Sequence, residues 1–130
     1  MNNWLDFMEN ATSIIAIYGD NLPTLEGVDL HEVSLHRDGP RVHLRFDLPV
    51  FPGQPPKKWS AANFNRVQLR LIAVGVQDLQ ISGLQSTCVL NLKITKETKM
   101  IRLHADNGQM KIDICAEHFI VDSISAYRST

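Results

Sequence analysis

Ile101-Arg102-Leu103-His104-Ala105-Asp106-Asn107-Gly108-Gln109-Met110-Lys111-Ile112-Asp113-Ile114 is the stretch on which the fold class turns. Apolar and polar residues alternate on both sides of Asn107-Gly108, the period of a half-buried strand and not of a helix. An Asn-Gly pair tolerates positive φ at both centres, as a type I′ turn requires, so the sequence predicts a tight hairpin. That turn sets Ala105 opposite Met110, Leu103 opposite Ile112 and Ile101 opposite Ile114. On the other face it sets Arg102 opposite Asp113, an opposite-charge pair that favours this register.

The same period of two runs outward in both directions. Downstream, a last strand is expected from about Phe119 to Tyr127. Upstream, Cys88, Leu90, Leu92 and Ile94 give a strand with a short connection, Thr95 to Thr98, and Leu79 and Ile81 give another. Val67, Leu69 and Leu71 mark a further strand. Before it, Leu30, Val33 and Leu35 lead through Asp38-Gly39-Pro40 to Val42, Leu44, Phe46 and Leu48, a hairpin. Pairings here whose residue numbers sum to an odd value keep both apolar sets on one face; a slip by one would bury arginines, so even sums are rejected.

Ahead of the strands the period is 3.6. Trp4, Phe7, Met8, Ala11, Ile14, Ile15 and Tyr18 form one stripe, which predicts an amphipathic helix over about residues 3–18 with that stripe against the core. Asn3 suits the N-cap, Asp6 the first turn and Gly19 the C-terminal cap, and Pro23 bars continuation. The expectation is a single α+β domain over residues 1–130: an N-terminal helix followed by about eight mainly antiparallel strands in a meander-like sheet.

Composition supports a folded chain of one-domain size. Hydrophobic residues make up 44% and charged residues 21% of the 130. The formal net charge is −1, from 13 basic and 14 acidic residues that are interspersed, so no basic face points to nucleic acid. The early apolar stretch, Ala11 to Gly19, is too short to span a bilayer, and the acidic opening (Asp6, Glu9) does not read as a secretory signal. The cytoplasm is the expected location. Cys88 and Cys115 sit in apolar alternating segments and read as small reduced side chains.

Catalytic and metal signatures are weak. His31, His36, His43, His104 and His118 show no ligand spacing. His36 and His43 would meet across the first hairpin if Gly39-Pro40 were its two-residue turn, and a metal would still lack a third ligand. Asp29, Glu32 and Asp47 could lie near one another, and exposed strand charges are the better reading of them. The seven glycines are scattered, and no nucleophile elbow occurs. No cofactor, metal or catalytic residue is assigned. The unusual segment is residues 49–60, with four prolines. It reads as an ordered surface loop in which Phe51 and Trp59 flank Lys57 and Lys58, candidate partner-binding residues. For Trp59 the better reading is that it folds back to cap an edge of the core.

The chain resembles the Immunity protein 50 family of bacterial polymorphic toxin systems. The resemblance lies in Trp4, Ile17-Tyr18-Gly19-Asp20, Pro23-Thr24-Leu25, Leu30 to Leu35, Arg37-Asp38-Gly39-Pro40 and Leu44. It continues in Pro55-Pro56-Lys57-Lys58-Trp59, Gly75, Leu79, Ile81, Gly83, Ile124 and Tyr127. It implies a cytoplasmic, non-catalytic protein that binds and neutralises a cognate toxin domain; the expectation of neither nucleic acid nor membrane as partner comes from the charge balance and the short apolar stretch. The alternative is a small ligand-binding or enzymatic domain that uses a pocket on a sheet face.

Overall fold

In the computed structural model, which describes residues 3–130, strands take 55% of the chain. The protein is mainly β, which corrects the α+β expectation. In chain order the elements are a 3-10 turn (Trp4–Phe7), β1 (Met8–Glu9), α1 (Thr12–Tyr18), β2 (Glu26–His36), β3 (Arg41–Asp47), α2 (Lys57–Ala61), β4 (Arg66–Ser82), β5 (Val89–Glu97), β6 (Met100–Asp106) and β7 (Lys111–Tyr127).

The expected helix over 3–18 is broken in the middle. Met8 and Glu9 pair in parallel with Phe119 and Ile120 of β7. Asn10 then takes a left-handed φ of 63° while its side-chain amide donates to the Val121 carbonyl at 3.0 Å. A sheet partner outcompetes helix propagation there. The caps stand where expected: Asn3 and Asp6 form a reciprocal capping box on the 3-10 turn, and Gly19 closes α1. Ile14 and Tyr18 are buried, but Ile15, placed in the stripe by its spacing, is 50% exposed.

Among the described residues, seven strands stand where about eight were expected. The segments around Leu69 and Leu79 are one continuous strand, β4, and those around Ile112 and Phe119 are one strand, β7. The two pair antiparallel along nearly their whole lengths, with irregularities at Arg70/Leu71 and Val76/Asp78. Meander order holds within β2-β3-β4 and within β5-β6-β7. These triplets join through β4–β7 and β2–β5, and because β6 also pairs with β7 the ring of pairings closes. Inside it lie Phe46, Leu69, Leu71, Ile114 and Phe119, all fully buried, with Ile14 of α1.

Two turns differ from expectation in an instructive way. The hairpin at Asn107-Gly108 has a four-residue loop, since Asp106 pairs with Lys111, Ala105 with Ile112 and Leu103 with Ile114. Arg102 lies opposite Cys115, and His104 takes the place across from Asp113. The shift by two keeps every side chain on its expected face. Only Gly108 of the central pair has positive φ; Asn107 instead uses its side chain, which accepts from the amides of Gln109 at 3.0 Å and Met110 at 2.7 Å. This lets Met110 turn inward and become fully buried. The tight two-residue connection is at Thr98-Lys99, where Glu97 pairs with Met100, so β5 runs on to Glu97, through most of the expected Thr95–Thr98 link.

The β2–β3 register is odd-summed from Glu32↔Arg45 to His36↔Arg41, as expected, and the turn spans residues 37–40. A bulge at His31 then shifts it, so Leu30 pairs with Phe46 and Asp29 with Asp47, the even register that was rejected. No arginine is buried by the shift, because Arg45 lies before the bulge and stays on the outer face against Glu32. No helix among the described residues is long and apolar enough to cross a membrane.

Candidate functional site

The bulge in β2 creates two adjoining features. The first is a polar cluster. Asp29 and Asp47 are direct cross-strand partners, a juxtaposition of like charges that is unfavourable by itself. His31 Nε2 sits between them, 3.1 Å from Asp47 Oδ2 and 3.9 Å from Asp29 Oδ2. The Tyr127 hydroxyl, from the end of β7, donates to Asp47 Oδ2. Asp47 is 3% exposed, the one buried charged residue among those described, and its Oδ1 has no partner. This corrects the reading of Asp47 as an exposed strand charge. Burial and the hydrogen bond to Asp47 push the Tyr127 phenol up to about 12. Asp29, His31 and Asp47 offer ligand atoms within 4.8 Å of one another, so their donor set could hold a divalent cation. Glu32 is not in this cluster. It pairs with Arg45 at 3.1 Å, and that guanidinium, with Ser34, holds its carboxyl below the usual range.

The second feature is a groove of about 490 Å³ beside the cluster, between β2 and the β4–β5 connection. Its apolar wall includes Leu30, Val33, Leu35, Ile81 and Leu84. Three of these are unusually exposed for their type: Leu35 at 65%, Ile81 at 40% and Leu84 at 80%. The acidic side chains on it are Asp29 and Glu32, and no Lys or Arg lines it. The wall is held in place by Gly83, whose φ of +72° and close approach to the Gln109 carbonyl fit only glycine. Cys88 closes the floor, its thiol donating to the Gln85 carbonyl at 2.9 Å. Both cysteines are free, Cys88 buried and Cys115 half-buried.

Phe51 and Trp59 pack on each other, with ring centroids 6.0 Å apart, and both lie half-buried against the core. Trp59 thus caps the core. Lys57 and Lys58 are exposed at the start of α2. The loop is anchored to α1 by the Tyr18 hydroxyl, which donates to the Val50 carbonyl at 2.7 Å; burial pushes this phenol well above its usual value. The loop aromatics do not line the groove.

His36 and His43 meet, with ring centroids 4.2 Å apart, as diagonal neighbours and not as direct partners. His43 Nε2 is buried without a hydrogen-bond partner. Desolvation, with His36 and Arg41 nearby, lowers its pKa. Sequence reading weighed Asp29, Glu32 and Asp47 as neighbours but favoured exposed strand charges, and it missed His31, which sits at the bulge beside Asp29 and Asp47. It also missed the groove. The available signal was Leu84, a lone large apolar residue inside Ser82-Gly83-Leu84-Gln85-Ser86.

A closed ring of antiparallel strands, with β1 added in parallel, an exposed apolar groove and an adjoining polar cluster define a small β-sheet domain with a surface suited to binding. The Immunity protein 50 family model matches residues 10–127, and the chain belongs to that family. Comparison with curated proteins and with solved structures found no match.

Proposed function

We propose that this chain is an immunity protein that binds and neutralises a cognate bacterial polymorphic toxin in the cytoplasm, by occlusion and without catalysis. The observation that carries the reading is membership of the Immunity protein 50 family over residues 10–127. Immunity requires fast capture and slow release, which charge steering and a desolvated apolar anchor supply. The exposed Leu35, Ile81 and Leu84 offer such an anchor. Phe51, Lys57, Lys58 and Trp59 belong to the proposed contact surface as well: the two exposed lysines tune the approach, and the half-buried aromatics shape the loop that presents them.

The test is co-expression with the toxin domain encoded in the adjacent reading frame. The chain should restore growth, and the two should co-purify. Phe51→Ala and Lys57→Ala should each weaken protection; full protection and parental affinity in both would remove the loop from the contact surface. A second reading, a small-ligand or enzymatic domain, is favoured by the groove's volume of about 490 Å³ and by the convergence of Asp29, His31 and Asp47 at its end. A metabolic operon around the gene, and capture of a small molecule in place of a toxin, would select it.

A further inference from the structure

The β2 strand carries an open edge along the groove. On one side β2 is paired with β3 from Asp29 to His36. On the other, pairing with β5 spans Glu26 to Asp29 and is followed by one bond, from the Leu30 amide to the Cys88 carbonyl at 2.8 Å. Beyond it, no described strand flanks β2 on that side. In an antiparallel ladder each residue sends its amide and carbonyl to the same side, and successive residues alternate. Leu30 faces β5, the His31 bulge places His31 and Glu32 both opposite Arg45, and Ser34 and His36 face β3. The backbone groups of Val33 and Leu35 are therefore the ones turned to the open side. Natural sheets protect edges with lysine, proline or a bulge; beyond the His31 bulge, the open end of β2 carries Val33 and Leu35 with neither lysine nor proline, and Leu35 is 65% exposed.

We infer that an extended segment of the toxin adds to this edge of β2 as an extra strand, laying apolar side chains into the groove and a lysine or arginine against Asp29. This rests on the immunity reading and specifies its contact. Main-chain hydrogen bonds to Val33 and Leu35 provide affinity, and the groove selects the side chains, as in strand addition generally. Apolar residues spaced by two on the incoming strand reach the wall formed by Leu35, Ile81 and Leu84. Charge complementarity fixes the sign of the partner. Asp29 (side chain 43% exposed) and Glu32 are the formal charges on the groove, with no lysine or arginine among its lining residues, and Glu32 is already matched by Arg45. Asp29, whose ion-pair neighbour among the described residues is His31 Nε2 at 3.9 Å, has no lysine or arginine beside it and is left to meet a cation.

The probe is the purified toxin domain from the adjacent reading frame, titrated against the full chain and three variants. Leu35→Pro removes an amide on the open side and leaves the β3 ladder intact, a position where an edge strand tolerates proline. Leu84→Asp, at an 80% exposed loop residue, changes the groove without touching the core. Ile15→Asp is the control, an equally apolar residue 50% exposed on α1. Leu35→Pro and Leu84→Asp should each weaken binding by about 30-fold or more, given the hydrogen bonds and apolar area lost, and Ile15→Asp by less than about 3-fold. Parental affinity in Leu84→Asp and in folded Leu35→Pro overturns strand addition, as does a comparable loss in Ile15→Asp, and both results leave the immunity reading standing. Absence of binding by the parent chain overturns the immunity reading and the docking mode with it.

Discussion

Removing the Tyr127 hydroxyl tests the one buried charge directly. Asp47 is 3% exposed, its Oδ1 has no partner, and its Oδ2 is held by Tyr127 and by His31 at 3.1 Å. Tyr127→Phe keeps the ring and removes the donor, so the carboxylate loses one of its two stabilising contacts without gaining water. A hydrogen bond to a charged group contributes about 1.5–3 kcal/mol. With about 2.1 cal/mol/K of unfolding entropy per residue, the 130-residue chain loses about 6–11 °C of Tm. The assay is thermal unfolding followed by circular dichroism at pH 7, with urea denaturation as the equilibrium check. A pH series supplies an independent readout. The folded phenol titrates near 12 and the unfolded one near 10, so the folded state binds more protons in that window. The stability this contributes is fully present below pH 10 and is lost as pH rises towards about 12; Tyr127→Phe should abolish that part of the slope. Adding Asp47→Asn to Tyr127→Phe should cost less than the two single changes together, because the pair is coupled. A Tyr127→Phe protein that melts within about 1 °C of the parent, with an unchanged alkaline slope, would refute the reasoning.

Gly83→Ala places a Cβ 2.0 Å from the Gln109 carbonyl oxygen at a φ of +72°, and should destabilise by more than about 2 kcal/mol in urea denaturation while disordering the groove wall. Asn107→Ala removes the acceptor for the Gln109 and Met110 amides and should cost about 1–2 kcal/mol by the same measurement. The folded pKa of His43 is depressed by desolvation, so the unfolded chain binds its proton first as pH falls below about 6.5. Stability should therefore decline on acidification from neutral pH, and His43→Gln should flatten the slope between about pH 7 and 5, read from urea midpoints.

The strand faces were legible because period-two alternation survives any register shift by two. The 107–110 loop moved the pairing of Leu103 from Ile112 to Ile114 without exposing either residue. Strand continuity was not legible. Gly75 and the polar run near Asp78 look like a break, yet β4 crosses them with an irregularity because β7 runs alongside throughout. The helix over 3–18 failed for the complementary reason: Met8-Glu9 has a strand partner 111 residues away in sequence, and local periodicity carries no information about it. At the site, an approach of Asp29 and Asp47 could be weighed, but His31 joins them at a bulge, and a bulge leaves no mark in the period-two pattern. The loop residues Phe51, Lys57, Lys58 and Trp59 were legible as a surface feature, and the core capping by Trp59 depends on packing against residues far away in the chain.

Isothermal titration of the full chain with the toxin domain encoded in the adjacent reading frame, paired with Leu84→Asp, tests the central proposal most directly. One-to-one binding with a Kd below about 100 nM for the parent, and loss of both affinity and protection in Leu84→Asp, is the expected result. No binding by the parent at about 50 µM, together with a small molecule retained in the groove, would contradict it.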